Sequence, residues 1–271
     1  MINNVLITFG CSFTYGEGIA YELLKEKYAD TFNDMMELGV GNLGRRAFDL
    51  SAMCKELDDY RIKNTYSRIL QAKLDIELIT NSVNGGRNVE RLMDLDFIID
   101  FIEKDSSIRP RYLIFQLTHI GRDIEDMLLQ NTFTIDYLYK IYGDAFICKV
   151  ISAAEGKKTA WKLDDLFDET TKIFIEKLEN RFKNLEQKYN TRCIFFFGLG
   201  DVPLIEKHYQ YYKSSPYFME IIYNDVLYYT WLEMNQKLHL MISDQTGIPD
   251  DHPSSASNKI ISEILYKRLK P

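Results

Sequence analysis

Residues 5–16 read VLITFGCSFTYG. The first part, Val5 to Phe9, is a continuous and mainly apolar run, which is typical of a strand covered on both faces of a parallel sheet. The second part, Gly10 to Gly16, is a small turn bounded by glycines directly after that strand. Open α/β sheets carry their ligand chemistry at the carboxyl ends of the strands. The segment therefore predicts both the class of fold and the place of a functional site.

Further strands and helices alternate along the chain. Apolar runs over Tyr112 to Leu117, Cys193 to Gly198 and, more weakly, Ile76 to Thr80 indicate three more buried strands. Apolar residues with helical spacing occur in four segments, which are Tyr66 to Leu74, Val89 to Glu103, Leu166 to Tyr189 and Lys259 to Leu269. This alternation predicts a three-layer α/β/α sandwich with a short parallel sheet.

Two connections are longer than the usual loop between elements. They cover about 17–64 and about 124–163, and we interpret both as partly helical insertions. No repeat or low-complexity linker separates the chain into parts. We therefore expect a single domain over residues 1–271.

The composition excludes several classes of protein. The chain has 271 residues, of which 46% are hydrophobic and 27% charged, as in ordinary globular proteins. Its net charge of −7 argues against nucleic acid as a partner. No apolar run approaches the roughly 20 residues that span a bilayer, so we expect no membrane insertion. The four cysteines are scattered without a C-x-x-C pair, which predicts reduced thiols and a cytoplasmic location.

Ser12 lies in the turn after the first strand, within the pattern G-x-S-x-x-x-G. A serine there, followed by a helix, has its hydroxyl near backbone N–H groups and the positive end of the helix. These surroundings suit a nucleophile whose reaction builds an oxyanion beside it. The alternative is a serine that only caps the helix. The spacing differs from the G-x-S-x-G turn of α/β-hydrolases.

His252 is the one histidine of the four with a chemically informative neighbourhood, because it lies in the run DDHP, residues 250–253. A carboxylate one or two residues upstream can orient an imidazole and stabilise its charged form. The proline fixes the backbone ahead of the final helix. The alternative is a solvated turn. Taken with Ser12, the histidine favours a pair of nucleophile and base.

These segments resemble the sequence blocks of the SGNH (GDSL-type) esterase and acyl-hydrolase superfamily. Residues 10–16 resemble its first block, G-D-S-x-[ST]-x-G, with Cys11 where aspartate is usual. Residues 250–253 resemble its last block, D-x-(x)-H-P. Residues 81–86, NSVNGG, resemble the second block, in which an oxyanion glycine follows an asparagine by five residues. The resemblance implies the flavodoxin-like fold of SGNH hydrolases.

The resemblance also implies site residues. Ser12 would be the nucleophile and His252 the base. Asp250 is the favoured carboxylate partner of His252, because a residue two positions upstream can fold back onto the ring, and Asp251 remains the alternative. The N–H groups of Ser12 and Gly86 would hold the oxyanion. No metal or organic cofactor is implied.

Asn88 belongs to the same oxyanion or substrate-binding group as Gly86.

The third block of the family, usually G-x-N-D with the asparagine as an oxyanion donor, is changed here. Residues 116–123 read QLTHIGRD and contain no asparagine. Thr118, His119 and Arg122 are the candidate replacements, and His119 is the first choice, with a packing histidine as its alternative. The loss of one oxyanion donor costs about 10²–10³ in rate.

The implied function is hydrolysis of a small acyl ester, such as an acetyl ester, through a Ser-His-Asp acyl-enzyme. The expected partner is a small-molecule or glycan ester. The segment 209–231 is rich in aromatic residues, which slightly favours a carbohydrate ester as substrate. A pair of helices that packs these aromatic side chains into the core explains most of them. Two alternatives stay open, which are an acyltransferase on the same scaffold and a catalytically inactive binding protein.

Residues 39–44, GVGNLG, match the spacing G-x-G-x-x-G. A dinucleotide site needs a strand before this motif and a helix after it. The preceding segment, Phe32 to Leu38, has a helical pattern instead. We therefore interpret the motif as a loop. His208 and His239 have no neighbours at metal-ligand spacing and are interpreted as surface or packing residues.

Overall fold

A computed structural model of the chain describes residues 3–37, 54–82, 86–105, 107–130, 134–155 and 163–270. Its centre is a parallel sheet with the strand order β2-β1-β3-β4. The four strands are β1 (Asn3–Gly10), β2 (Glu77–Ser82), β3 (Ile108–Leu117) and β4 (Arg192–Phe197). All four predicted strands are confirmed, and all their neighbouring pairs are parallel.

Helices connect and cover these strands. In chain order they are α1 (Ser12–Tyr15), α2 (Ala20–Lys27), α3 (Ala29–Glu37), α4 (Lys55–Lys63), α5 (Tyr66–Leu74), α6 (Asn88–Lys104), α7 (Gly121–Leu129), α8 (Ile135–Tyr142), α9 (Asp144–Ala154), α10 (Leu163–Tyr189), α11 (Val202–Lys207), α12 (Tyr209–Ser214), α13 (Trp231–Leu238), α14 (Ile242–Thr246) and α15 (Ser255–Leu269). A separate antiparallel pair consists of β5 (Ile221–Tyr223) and β6 (Val226–Tyr228).

Most of β1, β3 and β4 is buried, which explains why these strands read as continuous apolar runs. The expectation of a buried strand is wrong for β2, which lies at the edge of the sheet and is half-buried. On one face, Phe9 of β1 and Phe115 of β3 stack with ring centroids 5.6 Å apart and join the apolar residues of α6 and α10. On the other face, Leu6 of β1 packs with apolar residues of α5, α13 and α15. The chain is thus an α/β protein with helices on both sides of a parallel sheet.

The predicted helices are confirmed, and the differences lie at their ends. The segment 66–74 is helical as predicted. The final helix begins at Ser255, four residues earlier than Lys259, because the Ser254 hydroxyl accepts a hydrogen bond from the Ser257 N–H at 3.2 Å. Such a cap satisfies an N–H group that has no partner within the helix.

The prediction of a helical pair within 209–231 is wrong for residues 221–228, which form the β5–β6 hairpin. Its two turn residues, Asn224 and Asp225, have φ angles of 50° and 62°. A two-residue hairpin loop requires positive φ at both positions, and asparagine and aspartate tolerate it best among residues with a Cβ. The Asn-Asp pair was therefore the local signal for the hairpin.

The two long connections contain helices in the parts that the structure describes. Helices α2, α3 and α4 lie in the segment of about 17–64, and the end of α7 with α8 and α9 lies in that of about 124–163. The motif at 39–44 lies outside the described residues. The single-domain organisation stays a prediction. Among the helices described, none is both long and apolar enough to cross a membrane.

A Phe→Ala pair tests the buried sheet face. Phe115 is fully buried, whereas Phe97 on α6 is 73% exposed. Phe115→Ala removes ring contacts to Phe9 and Phe174 and leaves a cavity, so we expect it to lower the free energy of unfolding by about 3–5 kcal/mol. Phe97→Ala should change it by no more than about 0.5 kcal/mol. Urea denaturation followed by circular dichroism measures both, and equal losses would contradict this core assignment.

Candidate active site

Ser12 begins α1 directly beyond the carboxyl end of β1. The turn needs Gly10, because a Cβ there would clash with the Thr14 side chain. The Thr14 hydroxyl in turn donates to the Gln116 side chain on β3, which ties the turn to the sheet. Cys11 is the N-cap residue and makes no capping hydrogen bond. The Ser12 hydroxyl is therefore free of a capping role and contacts a distant part of the chain.

That distant part is the loop before α15. The Ser12 Oγ lies 2.8 Å from the Nε2 atom of His252, 240 positions further along the chain. Two backbone contacts hold the loop, because the His252 carbonyl accepts from the Ile242 N–H at 2.9 Å and Met241 pairs with Pro253. The Phe13 ring packs edge-on against the imidazole at 5.4 Å between centroids. The position of the imidazole is therefore fixed by the backbone of its own loop and by the Phe13 ring.

Asp250 is the carboxylate that contacts the imidazole. Its Oδ1 lies 2.6 Å from Nδ1 of His252 and also accepts from the His252 backbone N–H at 2.8 Å. Asp251 is 67% exposed at its side chain, and its Oδ1 is 3.9 Å from the same Nδ1. The geometry therefore favours Asp250 over Asp251 as the orienting residue. The structure brings Ser12, His252 and Asp250 into one hydrogen-bonded chain.

Glu17 is a third acidic residue at the site, and the sequence analysis missed it. Its Oε2 lies 3.1 Å from Nε2 of His252, on the side where Ser12 also binds. The residue is only 4% exposed. It lies between Gly16 and Gly18, whose φ angles are 81° and 84°. The sequence signal was the run Gly-Glu-Gly, but hydrophobic periodicity carries no information about where such a turn directs its side chain.

The two carboxylates dominate the electrostatics of His252. Burial disfavours the charged imidazole, yet the hydrogen bonds to Asp250 and Glu17 outweigh it and raise the pKa of His252 to about 10. The imidazole is therefore protonated at neutral pH. In that form Nδ1 donates to Asp250, and Nε2 donates toward Ser12 and Glu17.

The ends of β2 and β3 lie on either side of the Ser12 turn, since Gly10 pairs with Ser82 and Phe9 with Phe115. Asn88 joins the segments that follow these strands. Its amide donates to the Thr118 carbonyl at 3.1 Å and accepts from the Thr118 N–H at 2.8 Å. Asn88 thus positions backbone at this edge of the site.

Gly86 and Arg122 are connected at the same edge. An Nη1 of Arg122 donates to the Gly86 carbonyl at 3.0 Å and to the Thr118 hydroxyl at 3.2 Å. The guanidinium therefore holds the glycine against the end of β3. This contact orients the peptide that follows the second block.

His119 lies beside a cavity of about 40 Å³ at the ends of β3 and β4. Its Nδ1 accepts from the Gly121 N–H at 3.0 Å, and its ring contacts Phe167 edge-on. Burial, and then the charge of Arg122, lower the pKa of His119. The ring is therefore neutral, and since Nδ1 accepts a hydrogen bond, its proton lies on Nε2. The cavity is otherwise mainly apolar, with Leu117, Ile120, Phe167, Phe174, Phe197 and Leu199 among its lining residues.

Asp250, Asp251 and His252 are the group of metal-type ligands found among the described residues, with one atom of each lying within 4.8 Å of the others. Both ring nitrogens of His252 are already engaged, Nδ1 by Asp250 and Nε2 by Ser12. Hydrogen bonding thus accounts for this cluster. His208 is not part of this cluster, and its Nε2 lies 3.3 Å from Oδ1 of Asp168.

Comparisons of the chain with protein-family models, with curated proteins and with solved structures find no match. The assignment of a function therefore depends on the residues themselves.

The raised pKa of His252 predicts a pH-dependent contribution to stability. The ordinary value is 6.5, so the folded protein holds this proton more tightly than the unfolded chain. The stabilisation is complete below pH 6.5 or so and is lost as the pH rises through about 10. We expect the difference in unfolding free energy between wild type and His252→Gln to shrink over that range. Urea denaturation at several pH values measures it, and a constant difference would contradict the prediction.

Proposed function

We propose that the protein is a serine ester hydrolase of the SGNH type, which cleaves a small acyl ester through an acyl-enzyme. The observation that carries the proposal is the chain of hydrogen bonds from Ser12 through His252 to Asp250, with separations of 2.8 Å and 2.6 Å. A hydroxyl, an imidazole and a buried carboxylate in this order form the arrangement that activates a serine.

In the proposed reaction, neutral His252 takes the proton of the Ser12 hydroxyl while Oγ attacks the ester carbonyl carbon. The protonated imidazole then gives that proton to the leaving alcohol as the C–O bond breaks, which leaves an acyl group on Ser12. A water molecule then attacks the acyl carbon while His252 takes one of its protons. His252 returns that proton to Ser12 Oγ as the bond between Oγ and the acyl carbon breaks and the carboxylic acid leaves. Asp250 stabilises the imidazolium and holds its orientation through Nδ1.

The negative oxygen of each tetrahedral intermediate needs donors. By proposal these are the N–H groups of Ser12 and Gly86, with the Nε2–H of His119 in the place of the usual asparagine. The hydrogen bond from Arg122 to the Gly86 carbonyl supports a fixed orientation of this segment. Donors that are already in place at the start of the reaction need no reorganisation as charge develops.

The small acyl group of the proposal comes from the resemblance. Neither Ser12 nor His252 lines the cavity beside His119, so the size of that cavity does not bear on the acyl group. The aromatic segment gives little support for a glycan as the alcohol. Its side chains Tyr209, Tyr212, Tyr217, Tyr228 and Trp231 are all buried in the core and have no face free for a sugar.

Substitution of the triad tests the proposal. Ser12→Ala and His252→Ala should each lower kcat for p-nitrophenyl acetate by at least about 10³-fold, because nucleophile and base act as one unit. Ser214→Ala is the matched control, since that side chain is exposed and its hydroxyl donates to the nearby Tyr211 carbonyl at 2.6 Å. Rates are measured from pH 6.5 to 10 against enzyme-free blanks.

Fluorophosphonate labelling distinguishes the remaining outcomes. Label on Ser12 that survives Cys11→Ala identifies the serine as the nucleophile. Turnover that survives Ser12→Ala would refute the site assignment. Label without turnover would indicate an acyl acceptor other than water, and the absence of both would favour a binding protein.

A second pair of variants tests the donor at the third block. His119→Ala should lower kcat by about 10²–10³-fold, because the variant lacks the Nε2–H that stabilises the oxyanion in the proposed reaction. His239→Ala is the control, because that side chain is 83% exposed. Steady-state kinetics measure both, and equal activity of the two variants would exclude His119 from this role.

A further inference from the structure

Two acceptors compete for one proton of His252. The Nε2 atom lies 2.8 Å from Ser12 Oγ and 3.1 Å from Glu17 Oε2. A serine hydroxyl becomes nucleophilic when an unprotonated Nε2 accepts its hydrogen. A carboxylate at 3.1 Å has the opposite effect, because it favours the proton on Nε2. Ser12 and Glu17 therefore require different protonation states of the same nitrogen.

The loop is built to hold Glu17 in this place. Both flanking glycines have the left-handed backbone that residues with a Cβ rarely adopt. A Cβ on Gly16 would lie 2.7 Å from Thr65 Cγ2, and one on Gly18 would lie 2.8 Å from Asp250 Oδ2. Only glycine thus lets the loop approach Asp250 so closely. The two glycines thus allow the backbone that carries Glu17 to lie next to the loop of Asp250 and His252.

The other charged and titratable groups around His252 do not offset the two carboxylates. Asp251 is exposed on the same loop as Asp250. On α2, burial and then the charges of Asp250 and Glu17 raise the pKa of Tyr21, so this phenol is neutral. Glu22, also on α2, accepts from the Ser255 N–H at 2.8 Å. These neighbours are acidic or uncharged. The cation at the Glu17 loop is Arg61 on α4, which donates to the Tyr15 carbonyl at 2.6 Å and is paired with Asp58 at 2.6 Å.

We propose that Glu17 is a positioning residue that keeps His252 in its imidazolium form in the substrate-free protein, and that Ser12 becomes reactive only when this carboxylate is neutralised or leaves Nε2. The inference rests on the proposed function and adds a control of the same site. On activation the proton leaves Nε2 for Glu17 or for water. The freed lone pair then accepts the proton of Ser12.

The decisive experiment does not depend on activity. The ring signals of His252 are followed by NMR from pH 6 to 11 in wild type, Glu17→Gln and Asp251→Asn, and are assigned by their loss in His252→Ala. Removal of one opposite charge at this distance should lower the titration midpoint in Glu17→Gln by about one to three pH units. Asp251→Asn makes the same carboxylate-to-amide change at an exposed position and should shift it far less.

A second readout connects the titration to Ser12. The rate of fluorophosphonate labelling should rise with pH in wild type, and its midpoint in Glu17→Gln should fall by the same amount as that of His252. At pH 7 the variant should be labelled about 10-fold faster or more, because each unit of pKa changes the population of neutral imidazole about tenfold. A substitution with only structural effects would lower the rate without moving the midpoint.

The outcomes separate the two proposals. Equal midpoints for His252 in wild type and Glu17→Gln would overturn the role of Glu17. A shifted midpoint with no labelling of Ser12 in any variant would uphold the role of Glu17 in protonation and refute the serine hydrolase. If Glu17→Gln does not fold, Glu17→Asp keeps the charge but withdraws it from Nε2, and an unchanged midpoint in that variant would likewise overturn the proposal.

Discussion

The pairing of β1 with two strands at once is the constraint from which the rest of the structure follows. β2 lies along one edge and β3 along the other, while helices bury both faces. A strand held on four sides cannot slip in register without moving apolar side chains to the wrong face. Because all three strands run parallel, their carboxyl ends meet at one edge, and the turns that follow them are brought together there.

The residues of the candidate site come from two places, the carboxyl edge of the sheet and the loop before α15. The edge supplies Ser12, Gly86 and the segment around Thr118, which Asn88 and Arg122 hold by side-chain hydrogen bonds to backbone. The loop supplies His252 and Asp250. In the proposed reaction, the nucleophile and the oxyanion donors are thus attached to the sheet, and the base is attached to the loop.

The sequence predicts what depends on local pattern. Strands, main helices and the turn at Ser12 follow from apolar runs and glycines, and the DDHP run at 250–253 indicated which histidine to consider. Glu17 could not be found this way, because its contact is with His252, 235 positions further along the chain. That contact also requires a loop in which two glycines have left-handed backbone. The β5–β6 hairpin was missed because its aromatic strands are too short to show a period of two. The donor at the third block stays a prediction, since no sequence rule fixes where His119 points.

The last helix has a consequence for the order of events during synthesis. It covers one face of the sheet, its Asn258 side chain accepts from the Tyr66 N–H at 2.8 Å, and it begins just after His252. During synthesis Ser12 therefore leaves the ribosome long before His252 and α15, which lie about 240 positions later in the chain. Before α15 packs on the sheet, the Ser12 hydroxyl has no imidazole beside it. The contact between Ser12 and His252 thus depends on the same late segment that completes one layer of the core.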